Sequence, residues 1–187
     1  MKQQIFTLAN QLTLLRLLLI PFFAVAVLTG HYGWALGLLV AAALTDFFDG
    51  LLARRFEQRT PLGATLDPVA DKLLLSTSFV VLAARGAVPW WLSILVLGRD
   101  ALILVTALAF ILGAGFRTFP PTLLGKTCTA VQVVTVVVVV AAEVFLAEPL
   151  QWAKELLLWL TAGLTVLSGL HYAYRMGKLL PAASPKP

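Results

Sequence analysis

Residues 34–84 read WALGLLVAAALTDFFDGLLARRFEQRTPLGATLDPVADKLLLSTSFVVLAA, and this stretch decides the fold. It contains two apolar runs, 34–56 and 66–84, each close to the roughly 20 residues that a helix needs to cross a bilayer. A polar connection of about nine residues joins the two runs. The stretch therefore predicts two membrane-spanning helices with carboxylates where the helices meet a short loop.

The rest of the chain repeats this pattern. Sixty per cent of the residues are apolar and only 12% are charged, and short turns rich in Gly and Pro separate the apolar segments. The six predicted spans are 12–28, 34–56, 66–84, 89–113, 123–146 and 152–176. We predict an all-α polytopic membrane protein with six transmembrane helices and a short N-terminal interfacial segment over residues 1–8. Residues 1–180 form one transmembrane domain, and residues 181–187 form a disordered tail.

The distribution of basic residues predicts the orientation. If both termini are cytoplasmic, most Lys and Arg near the helix ends lie on that side, and only Arg85 and Lys154 lie outside. The net charge of +5 then reflects the positive-inside rule and favours anionic lipid headgroups. We expect a bacterial-type inner membrane protein whose active site and termini face the cytoplasm, without a nucleic-acid partner.

Four aspartates flank the loop within the decisive stretch. Asp46 and Asp49 are three residues apart on the second predicted helix, and Asp67 and Asp71 are four residues apart on the third. Each pair therefore lies on one helical face, and the short loop brings the two faces together. An ionised carboxylate in an apolar span costs roughly 2.5–3.5 kcal/mol even on the insertion scale, so four of them indicate a functional site.

Four converging negative charges require compensation, since like charges and desolvation both disfavour the ionised form. Divalent cations provide it. Ligands that offer only oxygen, without His or Cys, favour hard ions such as Mg²⁺ or Mn²⁺. Two such ions, typically about 3.5–4 Å apart, are the usual arrangement for in-line displacement at phosphorus.

Small and basic residues accompany the aspartates. Gly50 and Ala53 share the face of Asp46 and Asp49 and leave room for a substrate, while Arg54 can bind a phosphate with two hydrogen bonds. The structural alternative is that Gly50 and Ala53 allow close helix packing and that Arg54 extends to the membrane surface.

The complete spacing, D-x2-D-G-x2-A-R-x8-G-x3-D-x3-D, resembles the signature of the CDP-alcohol phosphotransferase family at every fixed position. The resemblance implies a six-helix membrane enzyme, commonly a homodimer, that transfers a phosphatidyl group from CDP-diacylglycerol to an alcohol and releases CMP. It implies that the four aspartates bind two metal ions and that Asp71 is also the general base. It further implies that Gly50, Ala53 and Gly63 line the nucleotide site and that Arg54 contacts phosphate.

Two further segments resemble the family less completely. The first span contains an N-x-L-T-x-x-R pattern, which would place Asn10, Thr13 and Arg16 near the nucleotide; the alternative is a group of interfacial polar residues at a helix start. Residues 125–132, GKTCTAVQ, are similar to the G-K-x-K-T-x-x-Q segment of the glycerophospholipid branch. Lys126 matches this segment, but Cys128 replaces its second Lys, and we interpret Cys128 as a packing residue.

Fewer residues bear on the acceptor, for which we predict binding by Lys126, Arg117 and Arg99. Arg99 and Asp100 interrupt an apolar span, and the alternative is an internal ion pair that holds helices together. Residues 120–126 and 168–175 resemble the cardiolipin synthases of the family, which favours phosphatidylglycerol as the acceptor. Glycerol 3-phosphate is the main alternative, as in phosphatidylglycerophosphate synthases.

A function of another class must also be considered. Intramembrane aspartates together with Arg99 and Asp100 could form a proton or cation relay in a small transporter. Such a relay needs ionisable groups across the whole bilayer, whereas the four aspartates cluster at one depth. The spacing therefore favours the enzyme.

Overall fold

The computed structural model describes the backbone of residues 8–56, 61–114 and 123–179, and the side chains of residues 13–45, 69–105 and 123–174. Over these ranges the chain is helical apart from short turns, which confirms the all-α prediction. The helices are α1 (Leu8–Leu28), α2 (Tyr32–Phe56), α3 (Pro61–Ala84), α4 (Trp90–Ala114), α5 (Leu123–Phe145) and α6 (Glu148–Leu179). The predicted disordered tail and all but the last residue of the predicted interfacial segment lie outside the described residues.

Glycine ends two of the helices in the same way. Gly30 after α1 and Gly86 after α3 have φ angles of 80° and 75°, a conformation that Gly adopts without the steric penalty of a Cβ atom. In each turn the amide after the Gly donates to a carbonyl in the last helical turn, at 2.8 Å and 2.9 Å. Arg85 Nη2 lies 3.4 Å from the position of a Cβ atom on Gly30, so the two turns lie at the same end of the bundle.

The helices do not pack simply in chain order. Among the described residues, α1 contacts both α2 and α3, α5 contacts α2 and α6, and α4 contacts α6. All six helices or their adjoining turns contribute to one apolar core, which includes the almost fully buried side chains of Phe23, Phe79, Leu92 and Val139. This packing brings α3, α4 and α6 together, although α6 is far from the other two in sequence.

Polar side chains lie inside the bundle and large apolar side chains lie on its surface. Between α5 and α6, Thr135 Oγ1 is 2.7 Å from Thr161 Oγ1, and Gln132 Nε2 donates to Thr165 Oγ1 at 3.3 Å. All four residues are buried. Exposed large apolar residues occur on every helix, among them Phe22, Ile94, Leu104 and Trp159. This distribution is typical of helices that face lipid and hold each other by packing and polar contacts.

Two helices in the described part of the chain are long and apolar enough to cross a membrane, namely Leu123–Phe145 and Glu148–Tyr174. Within the described residues, Thr13–Leu28 of α1 and Tyr32–Thr45 of α2 are further, shorter apolar segments. The structure thus supports the prediction of a helical membrane protein with two membrane-capable helices, while six membrane spans remain a prediction.

Candidate active site

Asp71 lies on α3 opposite a buried arginine of α1. Arg16 Nη1 donates to Asp71 Oδ1 at 2.6 Å. The Arg16 side chain is 1% exposed, whereas the Asp71 side chain is 56% exposed. The sequence predicted Arg16 near the nucleotide and Asp71 as metal ligand and base, and the structure brings these two residues into direct contact.

A first cavity of about 420 Å³ opens beside this ion pair. Arg16, Asp71 and Lys72 form its charged part. The remaining lining is mainly apolar and comes from α2, α3 and α5: Leu39, Ala42, Ala43, Leu74, Leu75, Ser78, Thr129, Val133, Val136 and Val137. The cavity therefore suits a ligand with a polar group at one end and an apolar group at the other.

A second cavity, of about 430 Å³, lies between α3, α4, α5 and α6. Its lining includes three basic residues, Lys72, Arg99 and Lys126, together with Ser168 and Tyr172. Lys72 also lines the first cavity, as do Thr129 and Val133. The two cavities are therefore neighbours, and Lys72 lies where they meet.

A network of charged side chains lies beside the second cavity. Asp100 Oδ1 is 2.5 Å from Lys72 Nζ and 2.7 Å from Arg99 Nη1. On its other side, Arg99 donates from Nε and Nη2 to Ser168 Oγ, at 3.2 Å and 2.8 Å. The ion pair that the sequence suggested for Arg99 and Asp100 is thus confirmed, and it extends to α3 and α6. Asp100 Oδ2 is buried and has no hydrogen-bond partner among the described residues.

The other predicted site residues are placed less completely. Thr13 is buried in α1 about one turn before Arg16, and Lys126 is exposed on α5 at the second cavity. Helix α1 also includes Asn10, α2 runs through Asp46, Asp49, Gly50, Ala53 and Arg54, and α3 runs through Gly63 and Asp67. The side chains of these eight residues, and the whole of Arg117, lie outside the described residues.

No cluster of three or more His, Cys, Asp or Glu side chains occurs in residues 13–45, 69–105 and 123–174. Three of the four aspartates predicted to bind metal lie outside these ranges, so the predicted ligand set stays a prediction. Cys128 is fully buried against Thr165, with 3.7 Å between Sγ and Oγ1. Its interpretation as a packing residue is confirmed.

Sequence reasoning missed the contributions of Lys72 and Ser168. A signal existed for Lys72, since a cation directly after Asp71 in an apolar span needs a partner. No such signal existed for Ser168, because a serine in an apolar helix most often bonds to its own backbone. Its partner Arg99 is 69 residues away in the chain.

Comparison with known proteins gives the family. The probable phosphatidylglycerophosphate synthase of Mycobacterium tuberculosis (strain ATCC 25618 / H37Rv) is 36% identical over 182 residues, which cover 93% of this chain and 83% of that protein. The putative cardiolipin synthase of Mycobacterium bovis is 39% identical over 129 residues, or 68% of this chain and 61% of that protein. The human cardiolipin synthase (CMP-forming) is 29% identical over 195 residues, which cover 92% of this chain and 62% of that protein.

The sequence model of the CDP-alcohol phosphatidyltransferase family matches residues 6–167. This range includes the complete aspartate signature, Arg16, Lys72, Arg99 and Lys126. The match confirms the resemblance that the spacing suggested. The chain belongs to the CDP-alcohol phosphatidyltransferase family of enzymes.

Proposed function

We propose that this enzyme transfers a phosphatidyl group from CDP-diacylglycerol to the hydroxyl of a glycerol-containing acceptor and releases CMP. One observation carries the assignment of the site. The partly exposed carboxylate of Asp71 lies at the charged end of one cavity and directly before Lys72, which borders both cavities. A donor in the first cavity and an acceptor in the second would meet at this point.

Asp71 acts as the general base in this proposal. It takes the proton of the acceptor hydroxyl as the hydroxyl oxygen attacks the phosphorus that carries the diacylglycerol. A P–O bond to the acceptor forms, the P–O bond to CMP breaks, and CMP leaves with the electron pair. Arg16 supports this role, because its guanidinium at 2.6 Å fixes Asp71 and stabilises the ionised carboxylate that a base requires.

Two divalent ions, Mg²⁺ or Mn²⁺, are the cofactors that we propose, with Asp46, Asp49, Asp67 and Asp71 as their ligands. The donor chemistry fits, since carboxylate oxygens suit hard cations and Asp71 is accessible at 56% exposure. Continuous helices through both aspartate pairs keep each pair on one face. Bound ions would neutralise the carboxylates and stabilise negative charge at the reacting phosphate.

For the CDP-lipid we propose the small and polar residues around these aspartates: Asn10, Thr13, Gly50, Ala53, Arg54 and Gly63. Thr13 and Arg16 lie one turn apart on α1, so a ligand near Arg16 also passes close to Thr13. The mainly apolar lining of the first cavity behind Asp71 supports a lipid donor there.

For the acceptor we propose Lys126 and Arg99, together with Arg117. Three basic residues line the second cavity, and Asp100 pairs with two of them, Lys72 and Arg99. This excess of positive charge among the described residues favours an acceptor that carries phosphate. Phosphatidylglycerol is the acceptor that we propose first, which would make the product cardiolipin. The Mycobacterium bovis relative and the human relative are both named as cardiolipin synthases, which supports this choice.

Glycerol 3-phosphate is the second candidate, and one observation favours it. The relative named probable phosphatidylglycerophosphate synthase aligns with 93% of this chain, whereas the mycobacterial relative named putative cardiolipin synthase aligns with 68%. The transporter alternative is set aside, because the family match assigns the aspartate signature to an enzyme.

We further propose six membrane spans, with the active site and both termini in the cytoplasm. Exposed tryptophans near the starts of α2, α4 and α6 support this arrangement: Trp34, Trp90, Trp91 and Trp152. Tryptophan is enriched at membrane–water interfaces, and alternate helix starts lie at the same end of an up-and-down bundle. Asp46 and Asp49 lie in the second half of α2, and Asp67 and Asp71 lie in the first half of α3. In such a bundle both pairs lie towards the end away from the tryptophans. A homodimer in a bacterial-type inner membrane completes the proposal, and chemical cross-linking in membranes tests it.

An acceptor panel tests the proposed reaction. Purified protein in detergent receives CDP-diacylglycerol, Mg²⁺ and one of four acceptors: phosphatidylglycerol, glycerol 3-phosphate, inositol phosphate or serine. CMP release and the lipid product are measured, with an Asp71→Asn preparation as the matched control. We expect one glycerol-containing acceptor to yield a lipid product together with CMP. The proposal is wrong if no acceptor releases CMP above the control.

A further inference from the structure

The guanidinium of Arg99 contacts α6 directly and is linked to α3 through Asp100, its neighbour on α4. The Arg99 side chain is 5% exposed, and Nε and Nη2 both donate to Ser168 Oγ on α6. Nη1 donates to Asp100 Oδ1, which also binds Lys72 Nζ on α3. The plane of the guanidinium is therefore fixed from opposite sides.

These contacts leave two N–H donors of the Arg99 guanidinium for a ligand. A guanidinium has five N–H donors, and the contacts with Ser168 and Asp100 use one on Nε, one on Nη1 and one on Nη2. Within the described residues, one donor on each terminal nitrogen is not used by these contacts. Two donors on one planar group match the oxygens of a phosphate, and Arg99 lines the second cavity.

Ser168 differs from the other buried hydroxyls on its helix. Thr161 and Thr165 lie on the same face of α6, seven and three residues earlier. Thr161 contacts Thr135 on α5, Thr165 contacts Gln132 on α5, and neither lines either cavity. Ser168, by contrast, lines the second cavity and accepts a hydrogen bond from Arg99, which lines the same cavity.

We propose that Ser168 is a positioning residue that orients Arg99 towards the phosphate of the acceptor. This proposal rests on the function proposed above and deepens it, because it explains how a cation in the apolar bundle is kept at the cavity. Arg side chains have many rotamers, and a preorganised fork loses less freedom when a phosphate binds. Asp100 fixes one edge, but its charge also attracts Arg99 away from a ligand. The neutral hydroxyl of Ser168 orients the guanidinium without such competition.

Three variants test the proposal in the full-length protein. Ser168→Ala removes the hydroxyl and no charge, Ser168→Thr keeps the hydroxyl, and Thr161→Val removes a buried hydroxyl two turns away that does not contact Arg99. Initial rates of CMP release are measured against the concentration of each substrate. Glycerol 3-phosphate and phosphatidylglycerol are offered separately, to distinguish a free phosphate ester from a lipid headgroup.

We expect Ser168→Ala to raise the KM of the accepted phosphate-bearing substrate about tenfold, as befits the loss of hydrogen bonds to a charged group. The KM of CDP-diacylglycerol should change less than about twofold, because a uniform structural defect would move both constants. Ser168→Thr should restore most of the acceptor affinity, and Thr161→Val should leave it unchanged. Equal changes in both KM values, or the same acceptor effect in Thr161→Val, would overturn the proposal.

A binding measurement separates this inference from the proposed reaction. The melting temperature of the detergent-solubilised protein is measured without CDP-diacylglycerol. Glycerol 3-phosphate, or phosphatidylglycerol in mixed micelles, is added at increasing concentration. We expect at least one of the two to stabilise wild type and Ser168→Thr, and to stabilise Ser168→Ala only at about tenfold higher concentration. If wild type binds an acceptor but releases no CMP, the proposed reaction fails and this inference stands. If Ser168→Ala binds as wild type does, or neither ligand stabilises wild type, the inference fails.

Discussion

Replacing Asp71 with Asn removes a negative charge while it preserves the size of the side chain. The amide oxygen of Asn can still accept a hydrogen bond from Arg16, but it cannot take a proton from the acceptor hydroxyl. We therefore expect the variant to fold and to lose phosphatidyl transfer. The structure allows the two effects to be compared in magnitude.

The effect on stability follows from the contact with Arg16. The variant exchanges a 2.6 Å ion pair for a hydrogen bond with one neutral partner, and Arg16 remains almost completely buried. Losing one partner costs up to about 1 kcal/mol in an exposed ion pair and about 3–5 kcal/mol in a buried one. Because Arg16 is buried, Asp71 is 56% exposed and Arg16 keeps a hydrogen bond to the Asn oxygen, the expected loss is about 1–3 kcal/mol. A typical domain has about 5–15 kcal/mol of stability, and nearly all of the variant should remain folded.

The effect on the rate is much larger. Loss of a general base lowers the rate by about 10²–10⁴, and a disturbed metal site would add to this. A decrease of a few kcal/mol in the free energy of unfolding cannot lower the rate this much, because nearly all molecules of a stable protein remain folded. A large loss of turnover, with a decrease in melting temperature of only about 2–4 °C for each kcal/mol of lost stability, is therefore the signature of a catalytic role.

Glu143 provides the matched control. Glu143 Oε1 pairs with Lys154 Nζ at 2.7 Å, and both side chains are partly buried. The pair joins α5 and α6 at the end of the bundle away from Asp71. Glu143→Gln should thus cost similar stability without a loss of rate. CMP release from CDP-diacylglycerol and thermal unfolding in detergent are measured for both variants, and more than about a tenth of wild-type turnover in Asp71→Asn would refute the reasoning.

Three further predictions concern the acceptor, the metal and the topology. Lys126→Ala should raise the acceptor KM by roughly 10- to 150-fold, the equivalent of one charge-assisted hydrogen bond, without an equal change in the KM of CDP-diacylglycerol. Lys154→Ala is the control, and equal shifts in both KM values would contradict a role in acceptor binding. Chelation should abolish CMP release, Mg²⁺ or Mn²⁺ should restore it, and Ca²⁺ should restore it poorly because its looser coordination does not hold two oxygens in line; turnover in excess chelator argues against the two-metal mechanism. In the Gln58→Cys variant with Cys128 replaced by Ala, impermeant thiol reagents should label inverted vesicles only, and labelling of intact spheroplasts would reverse the proposed orientation.

Apolar segments and turn residues were sufficient to predict the helices. The observed helices extend beyond some predicted spans, since α3 begins at Pro61 rather than at 66 and α6 begins at Glu148 rather than at 152. The spans were drawn from apolarity alone, whereas backbone hydrogen bonds continue through polar first turns. Pro61 and Glu148 are both favourable in a first helical turn. Signals for helix starts therefore correct the boundaries that hydropathy gives.

Candidate site residues could be grouped from the sequence only where they are close together in it, and the four-aspartate group stays a prediction. Asp46, Asp49, Asp67 and Asp71 fall within 26 residues and could be grouped by helical periodicity. The contact of Arg16 with Asp71 spans 55 residues and that of Arg99 with Ser168 spans 69. Such contacts depend on which helices pack together and in which register, and a single sequence does not encode this in a local pattern.

If the acceptor binds in the second cavity, as proposed, the charged residues there affect which acceptor is preferred. Arg16 is matched by Asp71, and Asp100 is shared between Lys72 and Arg99. Among the described residues, Lys126 therefore adds to an excess of positive charge around that cavity. A phosphate monoester carries about −1.5 to −2 at neutral pH, whereas a phosphodiester carries a single negative charge. Charge alone thus favours glycerol 3-phosphate, and phosphatidylglycerol must compensate with apolar contacts of its acyl chains. The competition between these two terms can be measured, because added salt weakens the binding of the more highly charged acceptor more strongly.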